Sequence, residues 1–460
     1  MARTSFLTSY VRGEVLSGGW NLITKALAGA NALIIISHLS VFKYGVYVLL
    51  LSYVALMIGL FVKPFADVVQ NDVARFIGAG KEAEAKRLFF ENVMIRSAIA
   101  LLLFLTTFFC ADIIAHFYGQ DVAALVRVLS PIFLIDVLTT TLRTMFELRL
   151  RFGEPALRVA VYNGIKLLLI TGALMFHRLD IFELFLIYLV ASLLSLAVFI
   201  PRSRILYGTW AQIHVAPEVQ ILPIIRGHGK WRAMSQALSS ASSNVRPWLI
   251  KFFINTEAVA IYSVAESMFG AIKTLLPSNT FVTLIPRKVA GDEKNASRIL
   301  VRGAKYLVIV ALCFAVGGLA FVPPLVGLII PHYLPSLPYF ALLLIILPLM
   351  GVSSIAGAFL FALQKQRFMF FVSIVRIPLS WALPVALLYF FGLWGMPFER
   401  ILISLFVTVM YFGYLIRYHV PEGEFRHFFT FDATDRELFG RVLTQLKDGA
   451  LSRFRRLMPR

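Results

Sequence analysis

Residues 235–253 read SQALSSASSNVRPWLIKFF, from Ser235 to Phe253. The stretch is long enough to cross a bilayer, yet it holds five serines, an asparagine, an arginine, a proline and a lysine. A charged side chain left facing lipid costs several kcal/mol. If this segment is a span, Arg246 and Lys251 must therefore face protein or water. Whether it is a span also decides whether the chain is a regular set of twelve helices or something less ordered.

Composition favours the span. Of the 460 residues 59% are hydrophobic and 15% charged, and the mean hydropathy is +0.80. That balance excludes an ordinary soluble domain. Apolar stretches of about 20 residues, the length that crosses a bilayer core, recur twelve times. They fall at about 15–38, 45–63, 92–112, 122–143, 156–176, 181–200, 232–254, 257–284, 303–330, 338–362, 369–391 and 396–416. The gaps between them leave no room for a large soluble domain. The fold class expected is an all-α polytopic membrane protein of about 12 transmembrane helices.

Basic residues give the orientation. With both termini inside, most of the 44 lysines and arginines fall in inner segments, among them Lys63, Arg75, Lys81, Lys86 and Arg87, and Arg287, Lys288, Lys294 and Arg298. Outer loops keep Lys43, Arg178 and Arg400. This is the asymmetry of the positive-inside rule. The net charge of +19 then reads as topology and affinity for anionic inner-leaflet lipids. No basic stripe with interleaved aromatics argues for nucleic acid. The start, MARTSFLTSYVRGEVLSGGW, lacks the pattern of a removable signal peptide. Cys110 and Cys313 fall within spans and suggest no disulfide framework. The NAS triplet at Asn295 matches a glycosylation acceptor but lies on the inner side by the charge rule, so it reads as accidental. Residues 418–460 interleave Leu438, Phe439, Val442, Leu446 and Phe454 with Arg436, Arg441, Lys447 and Arg453. They read as a basic amphipathic cytoplasmic tail lying on the inner leaflet.

Twelve spans divide six and six. The expected organisation is an N-terminal lobe over 1–200, a cytoplasmic linker over 201–231 and a C-terminal lobe over 232–417. The first and seventh spans are the most polar, and the second and eighth both end in a proline-containing inner exit. At an offset of 213 residues Asn31, Pro64, Gly78 and Lys81 meet Asn244, Pro277, Gly291 and Lys294. Two six-helix halves in parallel orientation are a recurring transporter plan, with the substrate site between them.

On a helical wheel the opening stretch sorts by polarity. Ser235, Ser239, Ser242 and Arg246 share one strip, and Ser240, Asn244, Pro247 and Lys251 the next. Leu238, Ala241, Val245, Trp248, Leu249 and Phe252 take the opposite half. The first span repeats the pattern with Ser17, Asn21, Thr24, Lys25 and Asn31. In the eighth, Ser263, Glu266, Gly270, Lys273 and Pro277 align; in the eleventh, Ser373, Arg376 and Ser380. The fifth offers Tyr162, Asn163 and Lys166. Serine strips often only glue helices together, and one buried lysine can be paired structurally. The count of charges is harder to explain that way. Lys25, Arg127, Lys166, Arg246, Lys251, Lys273 and Arg376 face two deep carboxylates, Asp136 and Glu266. Arg127 lies near a span end, where snorkelling suffices. For the rest a hydrated, electropositive central cavity between two lobes is the simplest resolution. Its ligand would be an anion, and arginine suits phosphate because its planar fork matches phosphate oxygens.

Several segments resemble a known family. VFKYGVYVLL, LRLRFGEPALRVAVYNGIKLLL, HYLPSLPYFALLLI and ALQKQRFMFFVSIVRIPLSWALPVALLYFFGLWG look like parts of the Wzx-type polysaccharide flippases. These belong to the multidrug/oligosaccharidyl-lipid/polysaccharide exporter superfamily. The resemblance covers roughly residues 10–417 in pattern. It implies a bundle that moves undecaprenyl-diphosphate-linked oligosaccharide across a bacterial inner membrane. It also implies a polysaccharide polymerase and a chain-length regulator as partners. The substrate-binding residues expected are Lys25, Asn21, Asn31, Arg246, Lys251, Asn244, Lys273, Lys166 and Arg376, with Glu266 and Asp136 for a coupling ion. A drug or metabolite cation antiporter of the same superfamily is the alternative, though a first span carrying Lys25 and no acid counts against it. A membrane glycan polymerase or ligase is a third reading, but the outer loops are short. No phosphate-cradling glycine loop, metal-ligand cluster or nucleophile–base pair stands out, so neither catalysis nor a cofactor is expected.

Overall fold

The computed structural model describes residues 2–118, 122–149, 151–176, 179–215, 218, 221–224, 230–276, 293–363, 365–420, 424–428, 430 and 432, with backbone alone over 2–18. The amphipathic tail beyond 432 lies outside the described residues, as do Arg178, Pro277, Arg287, Lys288 and Gly291 and parts of the 201–231 linker. So do the side chains of Ser235, Lys294 and Asn295.

Each expected span has a helix. α1 is Ala2–His38, and α2 is Val41–Met57. A π-turn over Ile58–Val62 continues α2 into α3, Lys63–Gly78. α4 is Glu82–Phe109 and α5 Ala111–Tyr118. The fourth span is split by Pro131 into α6, Ala123–Leu129, and α7, Ile132–Leu148. α8 is Gly153–Met175, α9 Ile181–Ala197, α10 Ile200–Ala211 and α11 Ile221–Ile224. The seventh span is α12, Lys230–Asn244, and α13, Arg246–Phe253. α14 is Thr256–Lys273 and α15 Glu293–Ile329. The tenth span is α16, Leu337–Leu344, with α17, Ile346–Ala362. α18 is Gln366–Phe391 and α19 Gly395–His419. Eight segments among the described residues are long and apolar enough to cross a membrane, and one of them, Gln366–His419, covers two of the expected spans. α9 is shorter, while α12 to α14 carry the polar residues that set them apart. The chain is an all-α, multi-pass membrane protein.

Local chemistry explains the breaks. Pro64 has no amide hydrogen and its ring crowds the carbonyl four residues back. The wider π-turn just before it, closed by Lys63 N–H on the Ile58 carbonyl, accommodates that fault within a continuous rod. Pro247 interrupts the seventh span in the same way, and the chain turns at Val245. α9 starts in a capping box. The Asp180 carboxylate accepts from Ile181 N at 2.7 Å, and Glu183 Oε2 accepts from Asp180 N at 3.1 Å, which satisfies two end-of-helix donors.

The described residues form two compact units, residues 1–263 with 328–333, and 264–327 with 334–460. In the first, α1 packs on α8, α8 on α9, α3 on α4 and α4 on α7, while α12 lies along the π-turn and α3. Its core includes Leu49, Leu50, Phe133, Phe146 and Phe185, all fully buried. The segment after α9 is docked rather than loose. Lys86 Nζ donates to the carbonyls of Trp210 and Ile213, both at 2.7 Å, and Glu91 accepts from Ile221 N at 2.9 Å. Trp210 is buried against Phe89, with the Arg149 guanidinium over its ring.

In the second unit Leu300, Leu307, Ile355, Phe359 and Leu415 form a core. A comparable docking recurs there. Buried Lys305 donates to the Thr430 carbonyl at 2.7 Å, Arg302 stands 3.6 Å from Asp432, and Phe412 packs on Phe425 and Phe428. In each unit a lysine on the third helix of the half thus holds the segment that follows the sixth.

Candidate functional site: a polar cavity in the first unit

Helix α2 passes very close to its neighbours. A Cβ on Gly59 would overlap Ser240 Oγ, and one on Gly45 would overlap the Thr256 carbonyl oxygen. Beside the Gly59 crossing opens a cavity of about 540 Å³, lined by polar side chains from four helices. α3 supplies Lys63 and Gln70, α4 Arg96, α7 Asp136, Thr140, Arg143, Thr144 and Glu147, and α12 Ser240 and Asn244, while the π-turn forms the wall with Ile58, Gly59 and Val62. A second cavity of about 470 Å³ shares Ala55, Ile58 and Asp136, and adds Thr139, Arg158, Tyr162, Tyr188 and Ser192. Asp136 is common to both.

Arg96 is 2% exposed, so its charge sits in the interior of the unit. The fields of Arg96, Arg158 and Lys63 all reach the Asp136 carboxylate. The Thr140 hydroxyl donates to the Asp136 main-chain carbonyl at 2.6 Å and stands 3.5 Å from the carboxylate. Glu147 is held by Arg143 at 2.6 Å and Gln70 at 2.8 Å. Asn244 donates to the Ser240 carbonyl at 2.8 Å. The Tyr162 and Tyr188 rings meet edge to face at 5.7 Å. Among the described residues the lining of the larger cavity carries more cations than carboxylates and shows no nucleophile–base pair, an arrangement that suits a polar anion.

The residues read from the sequence are distributed more widely. Asp136 and Asn244 line this cavity. Asn31 is buried and donates to the Asn163 carbonyl at 3.0 Å, joining α1 to α8. Lys166 is buried with its ammonium 5.2 Å from the Tyr188 ring. Lys251 lies 3.7 Å from the Tyr118 ring centroid and donates to the Tyr118 carbonyl, at the C-terminal end of α5. Arg246 is half-buried at the start of α13, while Asn21 and Lys25 are exposed on α1. In the second unit Lys273 and Arg376 are exposed, and Glu266 pairs with Arg400. Arg127 pairs with Asp112 at 2.5 Å.

Lys63, Arg96 and Arg158 were not singled out for a site by the sequence reading. Lys63 and Arg96 stand where span ends are read, and a cation there passes as topology. Three further acids are buried, Asp72, Glu91 and Glu399. For Glu91 and Glu399, a position near the end of an apolar stretch hid them in the same way.

Residues 69–289 match the family model described as polysaccharide biosynthesis protein. No curated protein sequence matches the chain. Solved structures share the fold. A multidrug resistance MATE family transporter of the MOP superfamily, in an inward-facing conformation, aligns with a TM-score of 0.69 at 13% identity, over 88% of this chain and 97% of that one. The lipid II flippase MurJ, in an inward closed conformation, aligns with 0.69 at 14%, over 91% and 90%. A variant of the MATE transporter VcmN from Vibrio cholerae aligns with 0.56 at 16%, over 90% and 98%. These neighbours are described as transporters and a flippase.

Proposed function

We propose that the chain is a member of the multidrug/oligosaccharidyl-lipid/polysaccharide exporter superfamily and that it flips undecaprenyl-diphosphate-linked oligosaccharide repeat units across the bacterial inner membrane. The carrying observation is the polysaccharide-biosynthesis match over residues 69–289 on a chain whose polar cavity is lined by Lys63, Arg96 and Arg143. The match points to a glycan. The cations suit the diphosphate that links it to lipid, and Gln70, Ser240 and Asn244 suit sugar hydroxyls. A prenyl tail needs no protein pocket, since the bilayer solvates it.

In this reading the lobes over 1–200 and 232–417 alternate access, with both termini and the 201–231 linker cytoplasmic by the lysine and arginine bias. Lys25 and Asn21 serve the diphosphate or sugar from the first half, and Arg246, Lys273 and Arg376 from the second. A polymerase and a chain-length regulator take the product onward to a surface polysaccharide such as O-antigen, capsule or exopolysaccharide. The MATE likeness keeps a cation antiporter as the competing reading, but a cavity richer in cations than in carboxylates attracts the wrong charge for it.

The test is translocation of a fluorescent prenyl-diphosphate oligosaccharide in proteoliposomes. The wild-type chain moves it from one leaflet to the other, and Arg96→Ala with Lys63→Ala slows it at least tenfold. Export of a cationic dye with no movement of the glycolipid would overturn the reading.

A further inference from the structure

In the second unit four helix ends meet around a cavity of about 350 Å³. The start of α15 contributes Ser297 and Leu300, and the end of α17 Phe359 and Leu363. Lys365 stands at the N-cap of α18, and Leu415 and His419 come from the end of α19. The floor belongs to the core, since Leu300, Phe359 and Leu415 are buried. The rim is basic. Lys365 is half-buried and His419 exposed, and among the described residues no acid lines the cavity. Lys365 makes no side-chain capping bond, so the positive end of the α18 dipole adds to the rim. Aromatic residues mark the depth of the site independently. Phe368 stacks on Tyr414 with ring centroids 4.2 Å apart, Tyr414 meets Tyr418 at 4.8 Å and His419 at 6.2 Å, and the Arg417 guanidinium lies 5.7 Å from the Tyr418 ring. Tyrosines at a span end sit at the headgroup level of a bilayer, and the lysine and arginine bias puts this end on the inner side.

We propose that this cavity is a binding site for an anionic phospholipid of the inner leaflet, its phosphodiester held by Lys365 and His419 and its first methylenes lying on the leucines below. The inference rests on the orientation read from the basic residues and is independent of what the chain transports. The two parts of the lining match the two parts of such a lipid. An ammonium and an imidazole N–H both donate to phosphate oxygens, while Leu300, Leu363 and Phe359 offer only apolar surface. A free phosphate would use the rim alone and leave that apolar floor in water, which is unfavourable. The chain's own tail is the other candidate occupant. Over residues 433–460 it carries seven lysines and arginines against three acids, the wrong net sign for a basic rim. Basic pockets between span ends on the cytoplasmic side are a recurrent form of lipid headgroup site. A lipid seated here bridges the starts of α15 and α18 to the ends of α17 and α19, so its binding stabilises the second unit.

Full-length protein in nanodiscs of phosphatidylcholine, with or without phosphatidylglycerol, tests this by thermal unfolding and by native mass spectrometry of retained lipid. Wild type should retain phosphatidylglycerol and melt at a higher temperature in its presence. Lys365→Gln with His419→Gln should weaken retention about tenfold, the size of one lost charge-assisted hydrogen bond. The same pair should abolish the gain in melting temperature while leaving the value in phosphatidylcholine alone unchanged. Each single variant should give part of the loss, and Lys365→Arg should keep the full effect. Lys81→Gln with Arg151→Gln removes two exposed cations from the first unit and should change neither readout, which separates a site from the general pull of a +19 chain. Soluble glycerol phosphate distinguishes the source of the anion. If it protects the protein in phosphatidylcholine as well as phosphatidylglycerol does, the cavity takes a free phosphate and the lipid proposal is overturned. It is equally overturned if wild type shows no preference for phosphatidylglycerol, if the Lys365 and His419 pair keeps that preference in full, or if both pairs of variants lose it alike.

Discussion

Gly59 and Ser240 stand so close that the space a Cβ would need on Gly59 is taken by the Ser240 hydroxyl. The contact lets α12 lie along the π-turn of the second span beside the polar cavity. Fourteen residues earlier on the same rod, Gly45 meets the main-chain oxygen of Thr256 in the same manner. The two obstacles differ, because a hydroxyl can rotate and a backbone carbonyl cannot. Gly59→Ala should therefore destabilise the protein by about 1–3 kcal/mol, and Ser240→Gly in the same chain should restore most of that loss. Gly45→Ala should cost more, with no single side-chain rescue. Thermal unfolding in detergent ranks the variants, and an equal loss at both positions would contradict the close approach.

Arg246 opens α13 immediately before Pro247, in the stretch whose charge first needed explaining. Arg246→Ala should abolish complementation of a flippase-deficient strain at normal protein levels. Arg246→Lys should retain part of it, because an ammonium still attracts phosphate but loses the two-pronged fit. Full complementation by the alanine variant would remove this residue from the substrate path.

Lys251 is engaged by Tyr118 through both ring and carbonyl. Lys251→Met, which keeps the stem, should lower stability by about 0.5–2 kcal/mol, and a double-mutant cycle with Tyr118→Leu should show coupling of similar size. If stability is unchanged and glycolipid translocation is lost, the lysine serves the substrate and its contact with Tyr118 carries little energy.

Glu266 has a partner in Arg400. If that pair is structural, Glu266→Gln should weaken the fold while the double variant with Arg400→Gln recovers part of the loss. If Glu266 binds a coupling ion, the single variant should abolish the ion dependence of transport in proteoliposomes and leave lipid binding intact. Measuring both unfolding and ion dependence in one preparation decides between them.

At the opposite ends of two other spans, Lys43 lies 3.0 Å from Asp180. Partial burial works to raise the Asp180 carboxyl, but hydrogen bonds from Lys43 and Ile181 N, with the lysine charge, hold it below the ordinary carboxylate value. A depressed acid contributes stability that is present above the unfolded value near 3.8 and is lost as pH falls through the lower folded value. Both side chains are about half exposed, so the effect should stay under about 1 kcal/mol. Asp180→Asn should reduce stability slightly at neutral pH and shrink the extra loss seen below about pH 4. An unchanged acid limb would mean the pair is not formed in solution.

Hydropathy made the helices legible. Twelve apolar stretches were readable, and each holds a helix, because crossing a bilayer demands about 20 apolar residues whatever the fold. In the sequence 122–143 and 232–254 each read as one span, without the breaks at Pro131 and Pro247. The site was harder. A wheel drawn through 235–253 assumes one straight helix, whereas the chain bends at Val245 between α12 and α13, so the wheel does not say what each half faces. Lys166 and Asn31 were read as facing a cavity. They are buried among Tyr188 and the Asn163 carbonyl instead, since a wheel gives a face but not what lies opposite. Arg96 escaped for the converse reason: near a span end, nothing in one-dimensional sequence separates an interfacial cation from an interior one. What was legible is that Asp136 lies deep within a span and that positive charge is in general excess. What was not is the gathering of α3, α4, α7 and α8 around the two cavities that share that acid, which only tertiary packing creates.

The π-turn at Ile58–Val62 fixes the phase of everything downstream on its rod. One extra residue per turn rotates the following helix by about 100° relative to an uninterrupted one. That rotation is what brings Lys63, Ala66 and Gln70 to the wall of the chamber. Deleting a single codon within 58–62 would regularise the helix and leave Lys63, Ala66 and Gln70 in the sequence, yet it would swing all three away together. The site is therefore more exposed to loss by a one-residue shift in reading register along this rod than by the change of any one of the three side chains.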